Sequence, residues 1–198
     1  MKEVLLSTTY FGPVQWYQKL YRAEHVRIEQ WESYQKQTYR NRCLIATTNG
    51  LQALTVPVER NAQCIKDIRI SDHGNWRHLH WNALQSAYGE SPFFEYYQDD
   101  IRPFFEQRWD YLLDFNEAIR QKVCELFDIQ PSVSLTEEYI SEVTSDYRSV
   151  IRPKSPEADP DFEPKPYYQV YQQKHGFLSN LSILDLLFNM GPESIFYL

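Results

Sequence analysis

A short basic segment, residues 36–42, contains the side chains best suited to bind an anion; it reads Lys-Gln-Thr-Tyr-Arg-Asn-Arg. It carries three cations, Lys36, Arg40 and Arg42, and no acidic residue. A guanidinium group is planar and offers several donors, so two arginines beside the amide of Asn41 suit a phosphate or carboxylate group. The segment predicts an anion-binding site. The alternative is a solvated edge beside the strand that follows.

Three histidines lie close together, at His73, His78 and His80. Their spacing matches no standard zinc motif, and on a helix His78 and His80 would point about 200° apart. A metal site is therefore not expected, although Asp72 could complete a set of ligands. His80 is the candidate for a catalytic proton transfer or a hydrogen bond, because histidine titrates near neutral pH. The alternative for each histidine is a partly buried ring that holds a loop.

Several large enzyme classes are excluded because their motifs are missing. The chain has no glycine-rich phosphate loop, no dinucleotide fingerprint, no HExxH and no GxSxG. Its cysteines, Cys43, Cys64 and Cys124, are widely spaced, which is typical of reduced structural thiols. Asp185 lies in an otherwise apolar predicted helix, where we expect a buried carboxylate with a partner; a pocket-lining role is the alternative.

Composition limits the partners of the protein. The 198 residues carry a formal net charge of −7, which disfavours general nucleic-acid binding. No apolar run approaches the roughly 20 residues that span a bilayer, and the first residues lack the pattern of a signal peptide, so a cytoplasmic protein is expected. Aromatic residues make up 16% of the chain, which fits either a ring-lined pocket or a core built of rings.

Hydrophobic patterning predicts the elements that must position these side chains. Strands are expected at residues 4–9, 25–28, 43–47, 51–58 and 65–70, with an Asn-Gly turn that predicts a hairpin between the third and fourth. Helices are expected at residues 13–22, 76–88, 93–97, 109–127 and 181–189.

This order predicts a single α/β domain over residues 1–198. It has a mixed sheet in the first third, helices after residue 75 and a C-terminal helix that packs back on the body; an α+β arrangement is the alternative. Residues 153–166 contain five prolines among acidic residues, which predicts an extended loop or lid.

Several segments in a fixed order carry a resemblance to a known family. They are residues 10–20 (Tyr-Phe-Gly-Pro-Val-Gln-Trp-Tyr-Gln-Lys-Leu), 37–45, 49–58, 76–80, 86–94 and 180–191. Together they resemble the WbqC-like family of bacterial proteins, some of which are encoded among genes for O-antigen and other surface polysaccharides. Typical members have a His-Gln-Pro element before the Tyr-Phe pair, where this chain has Ser7, Thr8 and Thr9. Many also carry a glycine-rich stretch where this chain has its proline-rich segment.

The resemblance implies a role around glycan assembly, in which the protein acts on or binds a sugar nucleotide or another phosphorylated metabolite. Arg40, Asn41 and Arg42 match the basic element of the family, and His80 matches its Trp-to-His spacing. The candidate substrate-binding residues are Tyr10, Lys36, Tyr39, Arg40, Asn41 and Arg42, with His80 as the candidate catalytic residue. The alternative is a non-catalytic binding or scaffold protein in a biosynthetic complex, whose proline-rich segment and tyrosines form an interaction surface. The resemblance names no cofactor and does not decide whether the protein is an enzyme.

Overall fold

The computed structural model describes residues 2–154 and 156–198. Met1 and Ser155, the latter within the proline-rich segment, lie outside the described residues. The strands are β1 (Glu3–Ser7), β2 (His25–Glu29), β3 (Arg42–Thr47), β4 (Gly50–Thr55), β5 (Val58–Glu59), β6 (Arg69–Ile70) and β7 (Val133–Leu135). The helices are α1 (Val14–Arg22), α2 (Trp76–Tyr88), α3 (Phe94–Ile101), α4 (Pro103–Glu106), α5 (Leu112–Leu126), α6 (Gln172–His175) and α7 (Ile183–Met190). The α/β class is confirmed.

The central sheet is parallel, with the strand order β1-β2-β7. Val4, Leu5 and Leu6 are all fully buried, as expected for a parallel strand that is covered on both faces. The outer edge of β1 is covered too, because the backbone N–H of Leu5 donates to Ser145 and its carbonyl accepts from Tyr147. Since the strands run the same way, β1 and β2 end at the same edge of the sheet, which we call the carboxyl edge.

The other strands form two small antiparallel pairs rather than extending the parallel sheet. The predicted hairpin is confirmed, since β3 pairs with β4 and Gly50 takes a φ of 102° at the turn. The strand predicted at residues 65–70 is wrong over its first half, where Ile65–Asp67 form a 3-10 helix. Ile65 and Ile68 are both fully buried, and their spacing of three matches a 3-10 turn better than a strand.

Aromatic rings build much of the core. Tyr10 stacks on Phe115 with ring centroids 5.8 Å apart, and Phe11 stacks on Phe105 at 6.1 Å. Tyr39 is also buried, with 6% of its surface exposed. The sequence favours a pocket lining for part of the rings in the family-like segments, and that expectation is wrong, because these rings serve mainly as core.

The proline-rich segment, residues 153–166, contains no helix or strand among its described residues, as predicted for an extended loop. Its Asp159 carboxylate is buried against α1. It accepts hydrogen bonds from Lys19 Nζ at 3.0 Å and Gln15 Nε2 at 2.8 Å, and Lys19 is fully buried. A buried ion pair of this kind fastens the segment to the body of the protein.

The C-terminal helix α7 packs back on the body, as expected, and carries the buried Asp185. This carboxylate accepts hydrogen bonds from Tyr88 Oη at 2.8 Å, Tyr167 Oη at 2.7 Å and Gln169 Nε2 at 2.9 Å. The expectation of a buried carboxylate with partners is confirmed. Burial raises the pKa of Asp185 above its ordinary value, although the three donors oppose that shift.

Replacing Tyr167 with phenylalanine removes one donor from Asp185. A hydrogen bond to a charged group contributes about 1.5–3 kcal/mol, so we expect a loss of that size in the free energy of unfolding at pH 7.5. The missing donor also raises the pKa of Asp185 further. Because the folded protein then binds the proton more tightly than the unfolded chain, the loss grows as pH rises through that pKa.

Urea unfolding at neutral and acidic pH measures both effects. Tyr168→Phe is the matched control, since 48% of Tyr168 is exposed and this change should shift stability by less than about 0.5 kcal/mol. A Tyr167→Phe loss that is the same at both pH values would contradict the prediction.

Candidate functional site

A cavity of about 490 Å³ lies at the carboxyl edge of the parallel sheet. Its walls include Trp31, Glu32, Arg40, Tyr139, Arg148 and Arg152. Open α/β sheets bind ligands at this edge, and the volume is that of a small-molecule site. The cavity is therefore the candidate functional site.

Arg40 is fixed in one wall by a buried ion pair. Its Nε donates to Glu32 Oε1 at 2.8 Å, and its Nη2 donates to Glu32 Oε2 and to Ser7 Oγ. Only 4% of Arg40 and 6% of Glu32 are exposed. The carbonyl of Arg40 accepts from the buried amide of Asn116 at 2.8 Å, which positions the backbone. No hydrogen bond to the described residues engages Arg40 Nη1, so this nitrogen can bind a ligand.

Glu29, the last residue of β2, organises the loops around the cavity. Its fully buried carboxylate accepts hydrogen bonds from the backbone N–H of Trp31, the hydroxyl of Thr136 and the backbone N–H of Ile140. Arg148 Nη1 lies 3.5 Å from its second oxygen. Three chain segments are thus held by one carboxylate.

Arg148 is held in the opposite wall by Asp146. Its Nη2 donates to Asp146 Oδ2 at 2.6 Å and its Nε to Oδ1 at 3.0 Å. Burial alone would raise the pKa of Asp146, but the Arg148 hydrogen bonds outweigh it and hold that pKa below its ordinary value. The same hydrogen bonds raise the pKa of Arg148. Both groups therefore stay charged, and the guanidinium lies 5.3 Å from the centre of the Tyr139 ring.

Arg152 is the most accessible of the three arginines. Its Nε donates to the Ser149 carbonyl at 2.6 Å, and its Nη2 lies 3.6 Å from a Glu157 oxygen, with 38% of the side chain exposed. The walls carry three arginines and only two acidic side chains, Glu32 and Asp146. Glu29 and Glu157 pair with Arg148 and Arg152 from outside the walls, so the charges of the arginines are balanced. What the cavity offers an anionic ligand is a set of guanidinium N–H donors held in place.

The basic segment predicted as the anion site is divided by the structure. Arg40 lines the cavity and Tyr39 lies buried beside it. Asn41 is buried and donates to a backbone carbonyl at 2.8 Å, while Arg42 Nε donates to a threonine hydroxyl of β4 at 3.0 Å. Lys36 is exposed and does not line the cavity.

Tyr10 and His80 lie together in the aromatic core, away from the cavity walls. Tyr10 Oη lies 2.8 Å from His80 Nδ1, and only 6% of His80 is exposed. Burial lowers the pKa of His80 to about 4, partly offset by a backbone hydrogen bond with Thr55. The imidazole is therefore neutral at pH 7. Burial also raises the pKa of Tyr10 well above its ordinary value, so the phenol keeps its proton.

Sequence analysis misses most of the residues that build the cavity: Glu29, Glu32, Asn116, Asp146, Arg148 and Arg152. One signal could have found two of them. Glu29 and Glu32 directly follow a predicted strand, and the carboxyl ends of parallel strands are where ligand-binding side chains collect. Arg148 and Arg152 lie in a stretch without hydrophobic periodicity, where no pattern marks them.

Other kinds of site are less well supported. In residues 2–154 and 156–198, no group of three or more His, Cys, Asp or Glu side chains is arranged to hold a metal ion. No helix in that part of the chain is long and apolar enough to cross a membrane. Burial raises the pKa of Cys43 to about 12 and that of Cys124 to about 11, so both remain thiols at neutral pH.

Removing Arg40 should destabilise the fold strongly, because Glu32 is left buried and unpaired. We expect Arg40→Met to lower the free energy of unfolding by about 3–5 kcal/mol. Adding Glu32→Gln removes the stranded charge, so the double variant should lose less than Arg40→Met alone. Urea unfolding of the two singles and the double measures the coupling.

Arg102→Met is the control for this cycle. It breaks the pair between Arg102 and Glu106, whose side chains are 55% and 57% exposed, and should cost under about 1 kcal/mol. A double variant that loses as much as the two single variants added together would show that Arg40 and Glu32 are not coupled.

We expect His80 to have a pKa of about 4 rather than the ordinary 6.5. The NMR chemical shifts of its ring, followed against pH, measure this pKa. Between those pH values the unfolded chain binds the proton and the folded protein does not, so acidification lowers the free energy of unfolding. His80→Gln should flatten that part of the stability profile. A ring that titrates near pH 6.5 would contradict the buried, neutral imidazole.

Comparison with known proteins places the chain in a family. A Mycobacterium tuberculosis (strain ATCC 25618 / H37Rv) protein named "Uncharacterized protein Rv1507c" is 27% identical over 192 residues, covering 83% of each chain. No solved structure matches the chain. The model of the WbqC-like protein family matches residues 8–153 and 157–197, which confirms the resemblance. The chain belongs to the WbqC-like protein family.

Proposed function

We propose that the cavity at the carboxyl edge binds a phosphorylated small metabolite, with nucleotide sugars as the leading class. The observation that carries the proposal is the convergence of Arg40, Arg148 and Arg152 on one cavity of about 490 Å³. Guanidinium groups recognise phosphate oxygens through paired N–H donors. Arg40 and Arg148 are already held in place by carboxylates, so their side chains lose little conformational entropy when a ligand binds.

Aromatic side chains in the same walls fit the rest of such a ligand. The Trp31 indole is fixed by its Nε1, which donates to the Thr136 carbonyl at 3.0 Å, and Tyr139 lies under the Arg148 guanidinium. Rings of this kind provide apolar contact surface for a sugar or a nucleobase. A ligand with a phosphate and a ring therefore matches two features of the cavity at once.

The acidic side chains narrow the ligand class. Glu32 and Asp146 already accept hydrogen bonds from Arg40 and Arg148, and a carboxylate has further acceptor sites that a purely anionic ligand cannot use. Sugar hydroxyls can donate to these carboxylates while the arginines hold the phosphate. This combination favours a nucleotide sugar or sugar phosphate over inorganic phosphate.

The family link supports placing this ligand in bacterial surface-polysaccharide assembly, which is the finer part of the proposal. Of the residues proposed from the sequence, Arg40 contacts the ligand and Tyr39 lies buried beside it. Asn41 donates to a backbone carbonyl and Arg42 to a threonine hydroxyl, so both support the chain around β3 and β4. Tyr10, Lys36 and His80 do not line the cavity and are assigned no part. Catalytic and non-catalytic versions of this function share the same binding step, so binding is what the experiment measures.

Isothermal titration calorimetry with a panel of nucleotide sugars, nucleoside diphosphates, sugar phosphates and inorganic phosphate tests the proposal. At least one phosphorylated ring compound should bind, and more tightly than inorganic phosphate. Arg152→Ala should weaken that binding by about 10-fold to 100-fold, the loss of one charge-assisted hydrogen bond. The stability of this variant should change little, because Arg152 makes a partly exposed ion pair and one local hydrogen bond to the Ser149 carbonyl.

Arg108→Ala is the matched control, since it removes an arginine that is 82% exposed and outside the cavity. Its affinity should equal that of the wild type. Absence of binding across the panel, or an equal loss in Arg108→Ala and Arg152→Ala, would overturn the proposal.

A further inference from the structure

A second, much smaller space lies directly behind Arg40. It has a volume of about 10 Å³, and its walls include Ser7, Thr8, Thr9, Tyr39 and Arg40. We call this space the inner chamber. Its size is that of one water molecule or one ligand oxygen. Arg40 is the residue shared by the walls of the cavity and of the inner chamber.

Two threonines that line the inner chamber have hydroxyls without a partner among the described residues. Thr8 is 1% exposed and Thr9 is 6% exposed, and the Oγ1 of each makes no hydrogen bond to any residue in 2–154 or 156–198. Buried hydroxyls are normally paired, and an unpaired one lowers stability because it has lost its hydrogen bonds to water. Two adjacent unpaired hydroxyls beside a guanidinium therefore need an explanation.

The backbone that presents these hydroxyls is itself unusual. Phe11 has a φ of 40°, in the left-handed region that bulky residues rarely adopt. Gly12 leaves room for the Thr9 hydroxyl, which a methyl group at that position would overlap. The turn after β1 thus combines a strained backbone at Phe11 with a close approach of the Thr9 hydroxyl to Gly12.

We infer that the inner chamber is an oxyanion subsite, in which Thr8 and Thr9 donate to one oxygen of the ligand's acidic group beside the Arg40 guanidinium. The inference rests on the proposed function and names the residues that recognise the end of the phosphate. Ser7 completes the subsite, since its Oγ accepts from Arg40 Nη2 at 2.8 Å and orients the guanidinium. Hydroxyl and guanidinium donors together are a suitable set for a phosphate oxygen.

The double variant Thr8→Val, Thr9→Val separates a binding role from a structural one. Valine keeps the shape of threonine and removes the unpaired hydroxyl, so the melting temperature should rise. Affinity for the phosphorylated compound that the wild type binds should fall at least 10-fold. The double variant Thr8→Ser, Thr9→Ser keeps both hydroxyls and should restore most of the affinity.

Thr48→Val is the control, because Thr48 is exposed on the β3–β4 turn and should change neither quantity. A valine variant that is more stable with unchanged affinity shows a dry void and overturns the subsite. A variant that is less stable with unchanged affinity shows a site for structural water and overturns it as well. A wild type that binds no member of the panel overturns the proposed function and the subsite together.

Discussion

The pairing of charges buried at the carboxyl edge is the constraint on which the site depends. Glu29 and Glu32 leave water almost completely, as does Arg40, and an unpaired charge in such a place would be very costly. Each of these buried charges must therefore lie beside groups that pair with it. Glu29 gathers the loop after β2, the loop after β7 and Arg148, and Glu32 fixes Arg40. The walls of the cavity contain little regular structure, so these side-chain pairings, rather than backbone hydrogen bonds between strands, hold the walls in position.

The aromatic core and the charged edge have separate tasks. Rings such as Tyr10, Phe11 and Phe115 bury large apolar areas and stabilise the fold without exposed charge. The loops of the cavity contribute less apolar burial and rely on ion pairs, which are sensitive to single changes. The Lys19–Asp159 pair extends this logic to the proline-rich segment, which would otherwise have no core of its own.

Local patterns in the sequence predict much of the fold but little of the site. Turn chemistry and apolar periodicity predict the Asn-Gly hairpin, the helices α1, α2, α5 and α7, and the buried Asp185. Arg40 is found because it stands in a conspicuous basic run. The residues that hold Arg40 in place are not predicted from the sequence. Glu32 looks like any surface acid, and Asn116 lies 76 residues from Arg40 in the chain. Pairings such as Glu29 with Thr136 join residues 107 positions apart, and no local pattern encodes them.

Two kinds of buried polar group distinguish structure from function in this protein. Asp185 has three donors and therefore needs no ligand to explain it. His80 is held by Tyr10 within a ring cluster, which accounts for its burial without a reaction. Thr8 and Thr9 belong to a second group, buried polar side chains with an atom that nothing in the described residues pairs, and both line the inner chamber together with Arg40. Valine would fill the same space without an unpaired hydroxyl, so the inferred subsite assigns the missing partner to a ligand.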